Sequence, residues 1–205
     1  MSPRERAFTS LQRHFEFLTI NDIEDIIEIS RIETFKKRQK IHTPGHRLTD
    51  FYFLISGFVR GFILDKNDVE RSVSFRDTGD FFGDPRSIAF GQPSNLNFEV
   101  IEDAEVLIFP IPKSQLVSAD NLRIARLYRV GLEKAVWAYM EHNQILLANK
   151  PQERYEILMK LRPMIFQRVS NKHIATYLGI TPNSLSRIMK RNLEAKKESP
   201  PEVTS

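Results

Sequence analysis

A chain of 205 residues, 41% hydrophobic and 27% charged, has room for one large or two small domains and the composition of a globular protein. No run approaches the roughly eighteen apolar residues of a membrane span, and MSPRERAFTS lacks the apolar segment of a signal peptide; a cytoplasmic protein with no membrane partner is expected. The absence of cysteine excludes disulfides, thiolate zinc sites, cysteine-ligated iron–sulfur clusters and a cysteine nucleophile.

The first thirty residues read as helical. Leu11, Phe15 and Leu18 share one face, and Asn21 is the expected cap of a second helix carrying Ile23, Ile26, Ile27 and Ile29. From Thr34 the texture changes. Six of the eight glycines lie between Gly45 and Gly91, and eleven of the fifteen phenylalanines between Phe35 and Phe109, so this region builds its own apolar core around frequent turns. RQKIHT, FYFLISGFVRGFIL, VERSVSF, NFEVIED and AEVLIFPI read as strands, separated by turn sequences such as PGH, DKND and RDTGD. Closely spaced strands of this kind predict an antiparallel sandwich or barrel. Pro110 and Pro112 close the last strand, because proline cannot donate to a central ladder.

A long helix is expected over residues 119–149. Ala125, Tyr128, Leu132, Ala135, Tyr139, His142 and Leu146 step by three and four, the spacing of a heptad seam. Leu122, Val136, Met140 and Leu147 form a second apolar stripe. Two stripes need two partners. The first is assigned to a twin helix in a homodimer and the second to the β domain, with a single broad stripe on one core as the alternative. His142 is read as a packed residue.

Asn149-Lys150-Pro151 restarts the helix with proline at a first helical position. Helix 151–162 then leads into VSNKHIATYLGITPNSLSRIMKR. Ser170 is the expected N-cap of a helix over 171–178, Gly179 its left-handed stop, and Thr181 the cap of a second helix with Pro182 at its first position. Ile174, Ala175, Leu178, Ile180, Leu185, Ile188 and Met189 fall inward; Pro182, Asn183, Ser186, Arg187 and Lys190 line the outward face. That is the construction of a helix-turn-helix. Residues 150–197 hold eleven Lys or Arg against three Asp or Glu, a net of +8 in a chain of net +4, so the remainder is acidic. A basic block of this density predicts double-stranded DNA as partner. Pro182, Asn183, Ser186 and Arg187 are the candidate base readers; Ser170, Lys172, Thr181 and Lys190 are the candidate phosphate contacts. The tail, 193–205, is charged and Pro-rich, and disorder is expected there.

An N-terminal helix, a Gly-punctuated β region, a long helix and a C-terminal helix-turn-helix, with FYFLISGFVRGF, GDFFGD and the ERYEILMKL to SRIMKR segment, resemble the cyclic-AMP receptor protein / fumarate-nitrate regulator (Crp/Fnr) family. The resemblance implies an α+β chain: a cyclic-nucleotide-binding-type β-roll (jelly roll) over 1–118, a dimerisation helix over 119–149 and a winged helix-turn-helix over 150–192. It also implies a homodimeric regulator on an inverted-repeat operator, with RNA polymerase as a further partner and no enzymatic activity. Cyclic nucleotide is the family's effector, and the corresponding pocket here comprises Gly83, Asp84, Arg86, Ser87, Ser94, Asn95 and Tyr139. Asp84 stands where the family has Glu. The family's Arg-Ser pair falls at Ser94-Asn95, without a guanidinium for a cyclic phosphate. An effector other than cyclic AMP is therefore expected, and no cofactor is certain.

Two other classes compete. A nucleotide-responsive adaptor without DNA binding leaves the +8 block unused. A cupin-type metal enzyme needs converging His and carboxylate ligands, whereas His42 and His46 flank Pro44-Gly45 in what reads as a solvent-facing turn, so no metal site is expected.

Overall fold

The structure, a computed structural model, describes residues 1–45, 49–111, 113 and 119–198, with side chains to residue 194. His46, Pro112 and residues 199–205 of the expected tail lie outside this set. The chain divides into two compact units, residues 1–63 with 73–140, and residues 64–72 with 141–205.

The first unit begins with α1 (Pro3–His14) and α2 (Ile20–Ile29). Both start in reciprocal capping boxes, Ser2 with Glu5 and Thr19 with Asp22, each satisfying free backbone N–H groups. Thr19, not Asn21, caps α2, because the box needs its carboxylate three residues on, and Asp22 supplies it. Ala7, Leu11, Phe15, Ile23, Ile26 and Ile27 turn inward onto Phe51, Phe53, Phe81, Leu107 and Phe109.

The strands are β1 (Arg31–Phe35), β2 (Lys40–His42), β3 (Asp50–Leu64), β4 (Glu70–Asp77), β5 (Phe81–Phe82) and β6 (Asn97–Pro110), with the helix α3 (Pro85–Phe90) between β5 and β6. Sheet order is β1-β6-β3-β4, with β2 on β6 and β5 on β3. The described pairings of β1, β2, β3 and β5 are antiparallel. Tyr52, Leu54, Val59, Phe82, Phe98, Val100 and Val106 form a second apolar core. NFEVIED and AEVLIFPI are one strand rather than two. The register with β3 slips between Leu54 and Val59, so the break expected in β6 is absorbed as an irregularity. Gly57 sits there at φ +104°, and a Cβ on it would lie 2.6 Å from the Asp103 carbonyl oxygen. His42 ends β2 and is half-buried, not on an exposed turn.

Helix α4 (Leu122–Leu147) presents Ile124 and Leu127 to the first core. It approaches closely at Gly131, where a Cβ would meet the Phe81 ring at 3.0 Å. At its start Arg123 and Asn121 bond the buried Asp22 carboxylate, at 2.5 Å from Arg123 Nε and 2.6 Å from Asn121 Nδ2. The stripe assigned to the twin helix is therefore largely used within the chain, and the stripe assigned to the β domain is the one left open. Tyr128 packs on Phe51 and Phe109, Ala135 is buried, Tyr139 lies beside Arg76, and His142 stacks on Tyr177. Those seam positions are used within the chain. Only Leu132 and Leu146 of the seam are open, while Leu122, Val136, Met140 and Leu147, 55–86% exposed, are the uncovered stripe, with Trp137 beside them. A three-four repeat identifies a stripe but not its partner; the close approach at Gly131 decides which one meets the sheet.

The second unit holds α5 (Pro151–Leu161), α6 (Ile165–Arg168), α7 (Asn171–Tyr177) and α8 (Pro182–Glu198). Its core is Tyr155, Leu158, Ile165, Val169, Ile174, Ala175, Tyr177, Leu178, Leu185 and Ile188. Arg154 Nε donates to Ala148 O at 2.9 Å and Nη1 to Leu178 O at 3.1 Å, satisfying carbonyls left free at helix ends. Helix α8 runs six residues past Asn192, into the expected tail. No strand follows β6 among the described residues, so this unit's C-terminal part is described by helices alone.

Candidate nucleic-acid interface

The turn between α7 and α8 follows its local chemistry. Gly179 adopts φ +64°; its N–H reaches Thr176 O at 3.2 Å and the Ile180 N–H reaches Ala175 O at 3.0 Å. This pair of bonds is a Schellman closure, which a Cβ-bearing residue enters at a cost. Thr181 Oγ1 accepts the Ser184 N–H at 3.1 Å, and Pro182 fills the first helical position. Leu185 and Ile188 anchor α8 inward. Pro182, Asn183, Ser186, Arg187 and Lys190 consequently share one exposed face.

Two candidate contacts differ in detail from expectation. Ser170 holds the extended N-cap conformation of α7, but its hydroxyl makes no capping bond and is exposed. Ser186 donates its hydroxyl back to Pro182 O at 3.0 Å, leaving oxygen lone pairs as its outward function. Lys172 is exposed, and Lys190 sits 3.8 Å from Glu194 in an open i,i+4 pair that competes weakly for it. Tyr177, absent from the inward set read from sequence, is buried and carries His142 on its ring. The Thr176 hydroxyl is 3.0 Å from Ser72 Oγ and accepts the Ser72 N–H at 3.3 Å, tying the β3–β4 hairpin tip to α7.

In the first unit, the expected pocket residues separate into two groups. Asp84 caps α3, accepting the Arg86 N–H at 2.9 Å; Asp84, Ser87 and Ser94 are buried, and Ser94 Oγ accepts the Leu96 N–H at 3.1 Å. Gly83 packs against Phe51 and Ile88. Arg86 and Asn95 are exposed and do not join them. Helical rotation of about 100° per residue takes Arg86 outward when Ser87 points in. The positive charge in this region is instead Arg76 on β4, 4% exposed. Its guanidinium carbon lies 5.9 Å from the Tyr139 ring centroid. Burial raises the Tyr139 pKa, the Arg76 charge opposes this, and the Asp84 charge adds to it. Ser72, Ser74 and Arg76 alternate along β4, and that alternation was the sequence signal for a polar face on this strand. Among the described residues, no three His, Cys, Asp or Glu side chains gather as a metal set, and no helix is long and apolar enough to cross a membrane.

Residues 32–117 match the cyclic nucleotide-binding domain family. Among solved structures the chain is similar to FixK2 from Bradyrhizobium japonicum, at 20% identity over 82% of this chain and 86% of that one, TM-score 0.69. It is also similar to the c-di-GMP-responsive global regulator CLP of Xanthomonas campestris, at 18% identity over 87% and 93%, TM-score 0.70. A CRP-family transcriptional regulator of Thermus thermophilus aligns at 16% identity over 80% and 85%, TM-score 0.65. At these identities the likeness is one of fold. No curated protein sequence matches the chain.

Proposed function

Because residues 32–117 match a cyclic nucleotide-binding domain and the chain has the fold of Crp/Fnr-type transcription regulators, we propose that it is itself a DNA-binding transcription regulator. It acts as a cytoplasmic homodimer on an inverted-repeat operator, with RNA polymerase as a further partner and without catalytic activity of its own. The observation that carries this reading is the face of α8: Pro182, Asn183, Ser186 and Arg187 are exposed together on a helix whose other side is anchored by Leu185 and Ile188. That face lies within a block of net charge +8, the long-range attraction a polyphosphate needs. The uncovered stripe Leu122, Val136, Met140 and Leu147 supports dimerisation through α4, because an apolar row on a long helix is suited to a second copy of itself.

The roll is the sensor, and its effector is not cyclic AMP. Ser94-Asn95 offer no guanidinium to a cyclic phosphate, and Asp84 spends one oxygen on capping α3. CLP, a regulator of similar fold, is described as responsive to c-di-GMP, which supports a roll serving ligands other than cyclic AMP. The test is selection of bound sequences from random duplex DNA by the full chain. Recovery of a two-fold symmetric site supports the reading; binding without sequence enrichment overturns it.

A further inference from the structure

Helix α1 carries Arg6, Thr9, Ser10 and Arg13 at i, i+3, i+4 and i+7, and therefore on one face. Ala7 and Leu11 seat the adjoining face in the core. The polar face borders a cavity of about 190 Å³, which Ser56 of β3 and Thr78 of the turn after β4 also line. Its walls are held from both sides. Arg6 Nε and Nη2 donate to the two oxygens of the buried Glu105 carboxylate, each at 2.7 Å, and Nη1 donates to Met1 O at 2.6 Å, with N–H groups to spare. His14 Nδ1 donates to Ser10 O at 2.8 Å, and its ring fills the space that a Cβ on Gly79 would need.

Three features of this cavity point to an anion. No acidic residue lines it, although the chain outside the C-terminal basic block is acidic overall. Glu105 is matched by Arg6, and Asp77 accepts the Thr78 N–H at 2.7 Å. Arg13 is exposed and has no ion-pair partner among the described residues. The Ser10 hydroxyl is shut away from water without a hydrogen-bond partner, a condition that buried polar groups rarely keep.

We propose that this cavity binds a phosphate-class oxyanion, free or carried on a small ester. Arg13 and the spare N–H groups of Arg6 supply the charge, and the Thr9, Ser10, Ser56 and Thr78 hydroxyls supply further donors. Donors that arrive from a helix, a strand and a turn surround a tetrahedral group. A carboxylate, with two oxygens in one plane, leaves part of that set unanswered. Size points the same way: sites for drug-sized ligands run to about 300–1,000 Å³, so this smaller cavity takes a phosphoryl head and not a whole nucleotide. A bound oxyanion ties α1 to β3 and to the turn before β5, the elements on which the first core is built. The site shares no residue with the expected effector pocket, and it does not rest on the regulator reading.

The test is calorimetric titration of full-length protein with inorganic phosphate, glycerol 1-phosphate, acetate and cyclic AMP at neutral pH and constant ionic strength. Saturable binding of phosphate or of the ester is expected, and the tighter of the two marks the source. Acetate and cyclic AMP are expected not to displace it. Arg13→Gln and Ser10→Ala should each weaken binding about tenfold, the scale of a lost charge-assisted or buried hydrogen bond. Lys172→Ala, in the basic C-terminal block, should leave it unchanged. Thermal melts identify a Ser10→Ala chain that fails to fold; Arg13→Gln, at an exposed position, carries the test in that case. The proposal is overturned if neither phosphate nor the ester binds saturably, if acetate binds as tightly, if cyclic AMP displaces the phosphate, or if folded Arg13→Gln binds as wild type does. Phosphate binding that Lys172→Ala removes and Arg13→Gln keeps belongs to the C-terminal basic face and also overturns it.

Discussion

The imidazole of His142 lies flat on the phenol ring of Tyr177, centroids 3.9 Å apart and planes 9° from parallel, with Nε2 2.8 Å from the Tyr177 carbonyl oxygen. A carbonyl only accepts, so Nε2 carries the proton. Thirty-five residues apart in sequence, the two join the last turns of α4 to the first helix of the helix-turn-helix through a stack and a hydrogen bond. Burial lowers the His142 pKa, and the bond to the carbonyl only partly restores it.

The pH dependence follows from that shift. Above about pH 6.5, the ordinary histidine value, His142 is neutral in folded and unfolded chains and this contribution is fully present. As pH falls below it, the unfolded chain takes up a proton that the buried ring resists, and stability is lost until the folded pKa is passed. Urea melts of the full chain between pH 8 and 5 should therefore show a decline below about pH 6.5 that is shallower in His142→Gln. Equal slopes in the two proteins remove His142 as the cause.

Asp22 sets a second, more acidic window. Burial by itself would raise its pKa, but hydrogen bonds from Arg123, Thr19 and Asn121 outweigh it and hold the carboxyl far below the usual range. Its stabilisation is complete above about pH 4 and lost as pH falls through the depressed folded value. Asp22→Asn should cost about 1.5–3 kcal/mol at pH 7, the scale of hydrogen bonds to a charged group, and should flatten the acid limb of the stability curve. A melting temperature unchanged at pH 7 contradicts this.

The covered and uncovered sides of α4 separate two kinds of variant. Val136→Asp with Met140→Asp should leave a folded monomer, because both side chains are uncovered. Tyr139→Asp should instead destabilise the fold, since it removes the half-buried ring that packs beside the buried Arg76. Sedimentation together with thermal melts distinguishes these outcomes. A double variant that still sediments as a dimer excludes this face of α4.

On the exposed face of α8, Arg187→Ala should cost roughly 1–3 kcal/mol on the selected operator and flatten its preference at one guanine in each half-site. Asn183 should favour adenine, and Pro182, having no donor, should leave its position relaxed. Lys172→Ala should weaken all sequences alike and lower the salt slope by roughly one. Lys190→Ala should do the same to a smaller degree, given its neighbour Glu194. Equal losses by Arg187→Ala on random and selected duplexes would falsify the assignment of the reading face.

Gly57→Ala tests the irregularity between β3 and β6. It forces a side chain into positive φ against the Asp103 carbonyl and should destabilise the chain by roughly 1–3 kcal/mol. A neutral result implies that the strand pairing relaxes around it.

What the amino-acid order settled by itself was local: the Schellman stop at Gly179, the Thr181–Pro182 start of α8, the long β3 with its DKND turn, and, Tyr177 apart, the inward and outward faces of the last two helices. Each depends on bonds and sterics among residues a few positions apart, so the pattern carries the outcome. Other features were decided only by tertiary structure. Both stripes of α4 repeat at helical spacing in sequence, and the meeting of Gly131 with Phe81 determines which is covered. Arg86 and Arg76 are equally basic in sequence, yet one is exposed at a helix start and the other buried against Tyr139, sixty-three residues away. Partners so far apart along the chain leave no periodicity to read, because the folded surface on which they meet exists only after the sheet has formed.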